Sequence, residues 1–244
     1  MQSRVCVRGV VTFGAVACAA LIVMTGCASQ TPAPSPAADS AGSSVATEAS
    51  QGTTGTQEGE LYTPTYVPNG SEIAVIKTNR GTIKVKLYGD DAPVNTANFI
   101  ELAQKGFYDN VKFHRLEPGF VIQGGDPQTV GLSSKAVKAF VAKLKKGEYE
   151  QGEPMLGTGG PGYLIEDEFD PREVIHKHVD GTLAMARTDS PNSAGSQFYF
   201  TLGAQPFLDG KYTVFGDTVS GLSVVHELGV GDVIKSITIE NATK

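Results

Sequence analysis

A sharp change of composition limits which part of this chain can fold. From Ala28 to about Tyr66 the residues are mainly Ser, Thr, Ala, Gly, Pro and Gln, and almost no large apolar side chain precedes Leu61. Such a segment buries too little apolar surface to offset the entropy lost on ordering. We therefore predict a disordered tether at 27–66, with a flexible reach of roughly 35 Å, followed by one folded domain at 67–244.

Residues 1–26 have the pattern of a bacterial lipoprotein signal peptide. A positive start with two arginines precedes an apolar stretch, Gly9 to Met24, that is too short for a comfortable membrane span. The stretch ends at Met24-Thr-Gly-Cys27, which predicts cleavage before Cys27 and lipidation of that residue. The domain would then be anchored to the cell membrane on its extracellular or periplasmic side. The alternatives are an ordinary secretory leader with an incidental Cys, or an uncleaved anchor.

Charge and cysteine content argue against two classes of function. The chain has 20 basic and 26 acidic residues, and loss of the two leader arginines leaves 20 − 2 = 18 basic residues, a net charge of 18 − 26 = −8. Nucleic-acid binding needs a basic face, whereas the one local basic run, at 143–146, fits a solvated helix face. All three cysteines lie within the first 27 residues. The domain is therefore expected to contain no disulfide and no thiol chemistry.

Short strand patterns dominate the domain. Ile83, Val85 and Leu87 alternate with lysines, and a connector containing Gly81 separates this run from the apolar run at 72–78, which predicts a hairpin. Further runs predict strands at 111–116, 120–123, 181–186, 197–202, 213–217 and 233–239. Many strands with few helices favour a β-barrel or a β-sandwich, and periodicity alone does not choose between them.

Three segments have helical patterns. Proline in the first turn and glycine past the end predict a helix at 94–105, and a second short helix is predicted at 220–228. A third segment, 133–146, has apolar residues at helical spacing with lysines between them. It lies in an apparent insertion at about 128–156, which either covers part of the domain surface or binds a partner.

Three ordered motifs resemble those of the cyclophilin-type peptidyl-prolyl isomerases. The first is Phe113-His-Arg-Leu-Glu-Pro-Gly-Phe-Val-Ile-Gln-Gly-Gly-Asp126. The second runs from Gly181-Thr-Leu-Ala-Met-Ala-Arg187 through Asn192-Ser-Ala-Gly-Ser-Gln-Phe-Tyr-Phe200, and the third is Phe207-Leu-Asp-Gly-Lys-Tyr-Thr-Val-Phe-Gly216. They occur in the family's order, and the resemblance covers roughly residues 70–240.

The resemblance implies a mainly β fold, a closed eight-stranded antiparallel barrel capped by two helices, with an added inserted helix in this chain. It implies catalytic roles for Arg115, Phe120 and Gln123 and requires no cofactor or metal. The implied substrate-binding residues are Val121, Ala186, Arg187, Gln197, Tyr199, Phe207, Leu208 and Tyr212. Val121 stands where Met is usual, Tyr199 where many relatives have Phe, and Phe207 where animal forms have Trp.

Elementary chemistry supports an arginine as the central group. The X–Pro bond has a rotation barrier of about 18–20 kcal/mol because of amide resonance, and no covalent step is needed to lower it. Arg cannot deprotonate, so Arg115 can always donate to the proline nitrogen or a neighbouring carbonyl. Such a bond contributes roughly 1.5–3 kcal/mol, so an apolar pocket and a chain-fixing group such as Gln123 must contribute as well.

Other motifs fit structural roles better. His176 and His178 are spaced like metal ligands on one face of a strand, but no cysteine or other nearby histidine completes a site, so solvated loop histidines are expected. The run Gly157-Thr-Gly-Gly-Pro-Gly162 does not open a helix, so it does not predict nucleotide binding. His114 lies in the first motif, but it is not the expected catalyst.

The sequence therefore predicts a prolyl isomerase that assists the folding of exported, proline-containing polypeptides. The alternative is a non-catalytic module for proline-peptide binding or adhesion, suggested by Val121, Tyr199 and the inserted helix. Replacement of Trp by Phe207 removes an indole N–H donor, so weakened affinity for the cyclic peptide cyclosporin is also expected.

Overall fold

The fold is that of a computed structural model, which describes residues 61–241. The predicted signal peptide at 1–26, the lipidation residue Cys27 and the tether up to residue 60 lie outside the described residues. Between 61 and 241, no helix is both long and apolar enough to cross a membrane.

The first two strands form the hairpin that their alternating pattern predicts. Strand β1 is Glu72–Thr78 and β2 is Thr82–Leu87, and they pair antiparallel. Ile83, Val85 and Leu87 are fully buried, whereas the lysines between them are exposed. The hairpin thus presents one apolar face to the core and one charged face to solvent, as a half-buried sheet requires.

Six more strands complete a single antiparallel sheet. They are β3 (Arg115–Glu117), β4 (Val121–Gly124), β5 (Thr182–Met185), β6 (Phe198–Thr201), β7 (Val214–Ser220) and β8 (Ile234–Asn241). Their order across the sheet is β3-β4-β6-β5-β7-β2-β1-β8. The fold is therefore mainly β, as predicted.

The predicted closure of the barrel is wrong, because the sheet is an open half-barrel. Strands β3 and β8 form its two edges. The described residues join these edges over one short stretch, through a bridge between Lys112 and Val233 and four backbone hydrogen bonds of 2.8–2.9 Å between residues 110–113 and 231–234. Strand β3 has three residues and pairs with β4 alone among the strands, so no ladder between β3 and β8 closes the sheet.

The two predicted capping helices are α1 (Pro93–Gln104) and α3 (Leu222–Glu227). Helix α1 is largely buried and contacts β8, whereas α3 contacts β2. The first turn of α1 is capped from a distant loop, since Glu168 accepts hydrogen bonds of 2.8 Å from the backbone N–H groups of Val94 and Asn95. A carboxylate is favoured here because the first N–H groups of a helix have no partner within it.

Aromatic side chains fill the concave side of the sheet. Phe99 of α1 lies 5.2–5.5 Å, centroid to centroid, from Tyr108, Phe198 and Phe215, and all four are fully buried. Edge-to-face contacts such as that between Phe99 and Phe198 suit the quadrupoles of the rings. This core packs against one face of the strands and leaves the other face available for a site.

The inserted segment contains the predicted helix, α2 (Ser134–Lys146). The Ser133 hydroxyl accepts from Ala136 N at the N-terminus, and Gly147 ends the helix with a φ of 71°, a conformation that glycine adopts without strain. Val137 is fully buried, and the other large apolar residues of α2, Phe140, Val141 and Leu144, are partly buried. The helix therefore packs on the domain along one side.

Contacts of the domain extend back to residues 61–66, which the sequence assigned to the tether. Tyr62 packs on Tyr163, with ring centroids 4.0 Å apart. The Tyr62 hydroxyl and the backbone N–H groups of Thr65 and Tyr66 donate to the carboxylate of Glu101 in α1. Burial would raise the pKa of Glu101, but these hydrogen bonds outweigh it and lower the pKa to about 2.

Candidate active site

The register of four strands places the central residues in one row. Arg115 of β3 lies opposite Gln123 of β4, Gln123 opposite Tyr199 of β6, and Tyr199 opposite Ala184 of β5. Side chains alternate between the two faces of a strand, so paired residues share a face. Ile122 and the neighbours of Tyr199 and Ala184 point into the core. The row therefore lies on the outer face of the half-barrel.

An apolar pocket lies beside this row. Val121, Ala184, Tyr199, Leu208 and Val214 form a small cluster separate from the main core. The pocket has a volume of about 150 Å³, well below the roughly 300–1,000 Å³ typical of sites for drug-sized molecules. Its lining contains nine of the eleven predicted site residues, namely Arg115, Phe120, Val121, Gln123, Ala186, Arg187, Tyr199, Leu208 and Tyr212.

Arg115 presents a guanidinium at the rim of the pocket. Its side chain is 42% exposed, and its Nη1 donates to Gln123 Oε1 across 3.4 Å. The guanidinium carbon lies 5.6 Å from the centroid of the Phe120 ring, a cation–π distance. No other hydrogen bond joins this guanidinium to residues 61–241, so most of its N–H donors can reach a bound peptide.

Gln123 belongs to a chain of amides that leads to a glycine-rich loop. Its Nε2 donates to Gln197 Oε1 at 2.9 Å, and Gln197 Nε2 donates to Gly159 O at 2.8 Å. Because each amide both donates and accepts, the orientation of every member follows from the next. Gln197 thus positions Gln123 and does not line the small pocket.

A second pocket continues the groove. It has a volume of about 260 Å³ and shares Gln123, Ala186 and Arg187 with the first. Residues 157–161 of the glycine-rich run form one wall of this pocket, which no sequence pattern predicts. Glycines leave backbone groups uncovered, so a glycine-rich run is the available signal for a wall whose backbone is open to a ligand.

The guanidinium of Arg187 makes hydrogen bonds within the protein. Its Nε and Nη2 donate to Lys211 O at 3.2 and 2.9 Å. The group lies between the rings of Phe169 and Tyr212, 5.2 and 5.1 Å from their centroids. Arg187 therefore holds the wall that carries Tyr212, and what it offers a ligand is mainly its backbone.

Tyr199 keeps its hydroxyl out of the pocket. The hydroxyl lies 3.1 Å from His178 Nε2, and His178 Nδ1 lies 3.0 Å from Asp209 Oδ1. Burial lowers the pKa of His178 despite this carboxylate, so a neutral ring can donate from Nδ1 and accept from the tyrosine. Burial also raises the pKa of Tyr199. The pocket therefore receives the ring and not the hydroxyl.

The expectation of a solvated loop histidine is wrong for His178, which is 1% exposed. Its fixed position follows from tertiary contacts with β6 and with Asp209, which the local sequence does not show. The ring of His176 stacks on that of Tyr88, with the centroids 3.7 Å apart, and its Nε2 lies 2.8 Å from Asp91 Oδ2. The two histidines thus have separate carboxylate partners, and residues 61–241 contain no group of three or more potential metal ligands.

Phe207, a predicted site residue, and His114, which was not expected to be the catalyst, both lie outside the pocket lining. Phe207 is 57% exposed, and its ring packs 5.5 Å from that of Phe120, so it forms the rim of the pocket and not its lining. His114 is buried, and that burial lowers its pKa. The neutral, enclosed imidazole lines neither of the two pockets.

The open antiparallel half-barrel and its outer groove define a class of protein. A family model described as cyclophilin type peptidyl-prolyl cis-trans isomerase matches residues 73–244. The chain belongs to this family and is a peptidyl-prolyl cis-trans isomerase. The comparisons support this activity and not the alternative of a non-catalytic binding module.

Relatives and solved structures agree with this assignment. A peptidyl-prolyl cis-trans isomerase of Synechococcus elongatus is 39% identical over 168 residues, 68% of this chain and 94% of that protein. Peptidyl-prolyl cis-trans isomerase B of Bacillus subtilis is 38% identical over 65% of this chain and 90% of its own length. The crystal structure of a cyclophilin type isomerase from Cryptosporidium parvum, 28% identical, matches with a TM-score of 0.54 over 70% of this chain and 99% of that one.

Proposed function

We propose that Arg115, Phe120 and Gln123 catalyse the isomerisation, with the proline ring of the substrate in the 150 Å³ pocket. The observation that supports this most is the register of Arg115 opposite Gln123 beside that pocket. A structure of the related Cryptosporidium parvum protein was determined in the presence of the dipeptide Ala-Pro. That ligand is consistent with a pocket for one small ring.

Rotation about the X–Pro bond removes amide resonance and gives the proline nitrogen lone-pair character. Arg115 donates to this nitrogen or to the adjacent carbonyl, and the bond is stronger in the twisted state than in either planar state. Phe120, Val121, Tyr199 and Leu208 surround the ring and exclude water. Gln123, fixed by Gln197, holds the flanking backbone so that the bond rotates within the site.

Replacement of Arg115 tests this mechanism. We expect Arg115→Ala to lower kcat/KM for an Ala-Pro peptide by about 10- to 100-fold, because a charged hydrogen bond contributes roughly 1.5–3 kcal/mol. Arg115→Lys, which keeps the charge without the planar fork, should recover part of the loss. Arg172→Ala is the control, since this arginine is 87% exposed and pairs with Asp170. An unchanged rate in Arg115→Ala would contradict the mechanism.

We further propose that the isomerase acts on exported, proline-containing polypeptides from a lipid anchor on Cys27. The apolar segment that ends at Met24-Thr-Gly-Cys27 and the polar stretch that follows Cys27 support this location. Mass spectrometry of the mature amino terminus should find a diacylglycerol adduct on Cys27, and Cys27→Ala should release the protein from the membrane fraction. A mature chain that begins elsewhere, or an unmodified Cys27, would contradict the anchor without affecting the catalytic assignment.

A further inference from the structure

The inserted helix α2 reaches the strand that carries Arg115. Lys145, in its last turn, donates a 3.2 Å hydrogen bond from Nζ to Oε1 of Glu117. Glu117 follows Arg115 by two residues in β3, so both side chains lie on the same face. The insertion is therefore connected to the catalytic row through one carboxylate.

Two cations share that carboxylate oxygen unequally. Oε1 of Glu117 lies 3.2 Å from Lys145 Nζ and 3.9 Å from Arg115 Nε. The first distance is a hydrogen bond, whereas the second is an ion pair without one. Glu117 is thus held towards α2, and Arg115 keeps its hydrogen bond to Gln123.

We propose that Lys145 is a positioning residue for catalysis, which holds the Glu117 carboxylate away from Arg115 so that the guanidinium stays available to the substrate. This inference rests on the proposed catalytic role of Arg115. An arginine and a carboxylate readily form short, bidentate ion pairs. Without Lys145, Glu117 would close on Arg115 and compete with the peptide carbonyl for the same N–H groups.

The other lysines at the end of α2 provide a contrast. Lys143 pairs with Glu153 inside the insertion. Lys146 has no ion-pair partner among residues 61–241 and is exposed, so it serves as a control of equal charge one residue away. If net positive charge near the groove were what mattered, Lys145 and Lys146 would be equivalent.

The test compares single variants in an Ala-Pro peptide isomerisation assay at low salt. We expect Lys145→Met to lower kcat/KM about threefold, since exposed ion pairs change equilibria by about two- to fivefold. Lys145→Arg should restore the rate, and Lys146→Met should leave it unchanged. The loss should shrink at about 1 M salt, where the Debye length falls to roughly 3 Å.

A double-variant cycle separates positioning from mere stabilisation of the insertion. In a Glu117→Gln background no carboxylate remains to compete for Arg115, so Lys145→Met should then have no effect on kcat/KM. A loss that persists in that background, or a full rate in Lys145→Met alone, overturns the proposal. Arg115→Ala in the same assay distinguishes this failure from failure of the catalytic assignment, because only the latter leaves Arg115→Ala fully active.

Discussion

At the scale of single residues, the pocket carries a tyrosine in an otherwise apolar wall. The hydroxyl of Tyr199 lies against His178, whose side chain is fully buried. Buried polar groups are tolerated when they have a partner, so the substitution of Phe by Tyr leaves the pocket surface apolar. The presence of Tyr199 in place of Phe, which suggested a non-catalytic module, therefore has a local structural explanation.

Replacement of Tyr199 by Phe should affect stability more than activity. The ring remains in place, so kcat/KM should change by less than about twofold, whereas loss of the hydrogen bond should lower the free energy of unfolding by about 1 kcal/mol. Urea denaturation and the peptide assay measure the two quantities. Tyr149→Phe, on the exposed insertion, is the control. A tenfold loss of activity without a change in stability would show that the hydroxyl acts in the pocket.

Phe207 is the residue at which affinity for cyclosporin is expected to be set. It is 57% exposed beside Phe120, so a larger ring can be placed there without disturbing the core. We expect Phe207→Trp to bind cyclosporin about 10-fold more tightly, because the indole adds apolar area and an N–H donor. Titration calorimetry measures this change. Equal affinities of the two proteins would show that this position contributes little.

At the scale of elements, helices and strands were predictable where local patterns determine them. The alternation in β2, the proline that begins α1 and the period of α2 each correspond to an element at about the predicted position. The capping of α1 by Glu168 was not predictable, because this residue lies more than 70 positions away in the chain. The fold brings Glu168 to the start of the helix.

The cap predicts a measurable loss of stability. Glu168→Ala removes the acceptor for two backbone N–H groups of α1 and for the Asn95 side chain, which lies 2.7 Å away. We expect the free energy of unfolding to fall by about 2 kcal/mol, and Glu168→Gln should lose less because one acceptor remains. Glu166→Ala, which alters an exposed neighbouring side chain, should change the free energy of unfolding by less than about 0.5 kcal/mol. Equal losses in both Ala variants would contradict the cap.

At the scale of the whole molecule, the start of the domain depends on a buried acid. Residues 61–66 lie on α1 because Glu101 collects their hydrogen bonds and remains charged within the contact. The segment is therefore held both by the packing of Tyr62 and Tyr66 on the core and by the hydrogen bonds that it donates to Glu101. The composition of 61–66 does not reveal this, since the acceptor lies 35 or more residues further along the chain.

The lowered pKa of Glu101 predicts sensitivity to acid. A carboxyl whose pKa falls from 4.5 to about 2 on folding contributes about 3 kcal/mol of stability above pH 4.5, which is lost as the pH falls towards 2. Glu101→Gln should therefore be less stable at pH 7, with a difference from the native protein that shrinks below pH 4. Denaturation curves across this range provide the measurement, with Glu148→Gln as an exposed control. A difference independent of pH would contradict this account.

The sequence by itself determined the class of fold, the order of the elements and most of the residues that line the pocket. These depend on local periodicity and on three motifs, which contain Arg115 and Gln123, Tyr199, and Leu208 respectively. The tertiary structure decided the opening of the barrel, the burial of His178 and the contact of Lys145 with Glu117. Each of these depends on contacts between groups that are distant in the sequence and come together only when the chain folds. Local sequence patterns do not predict such contacts.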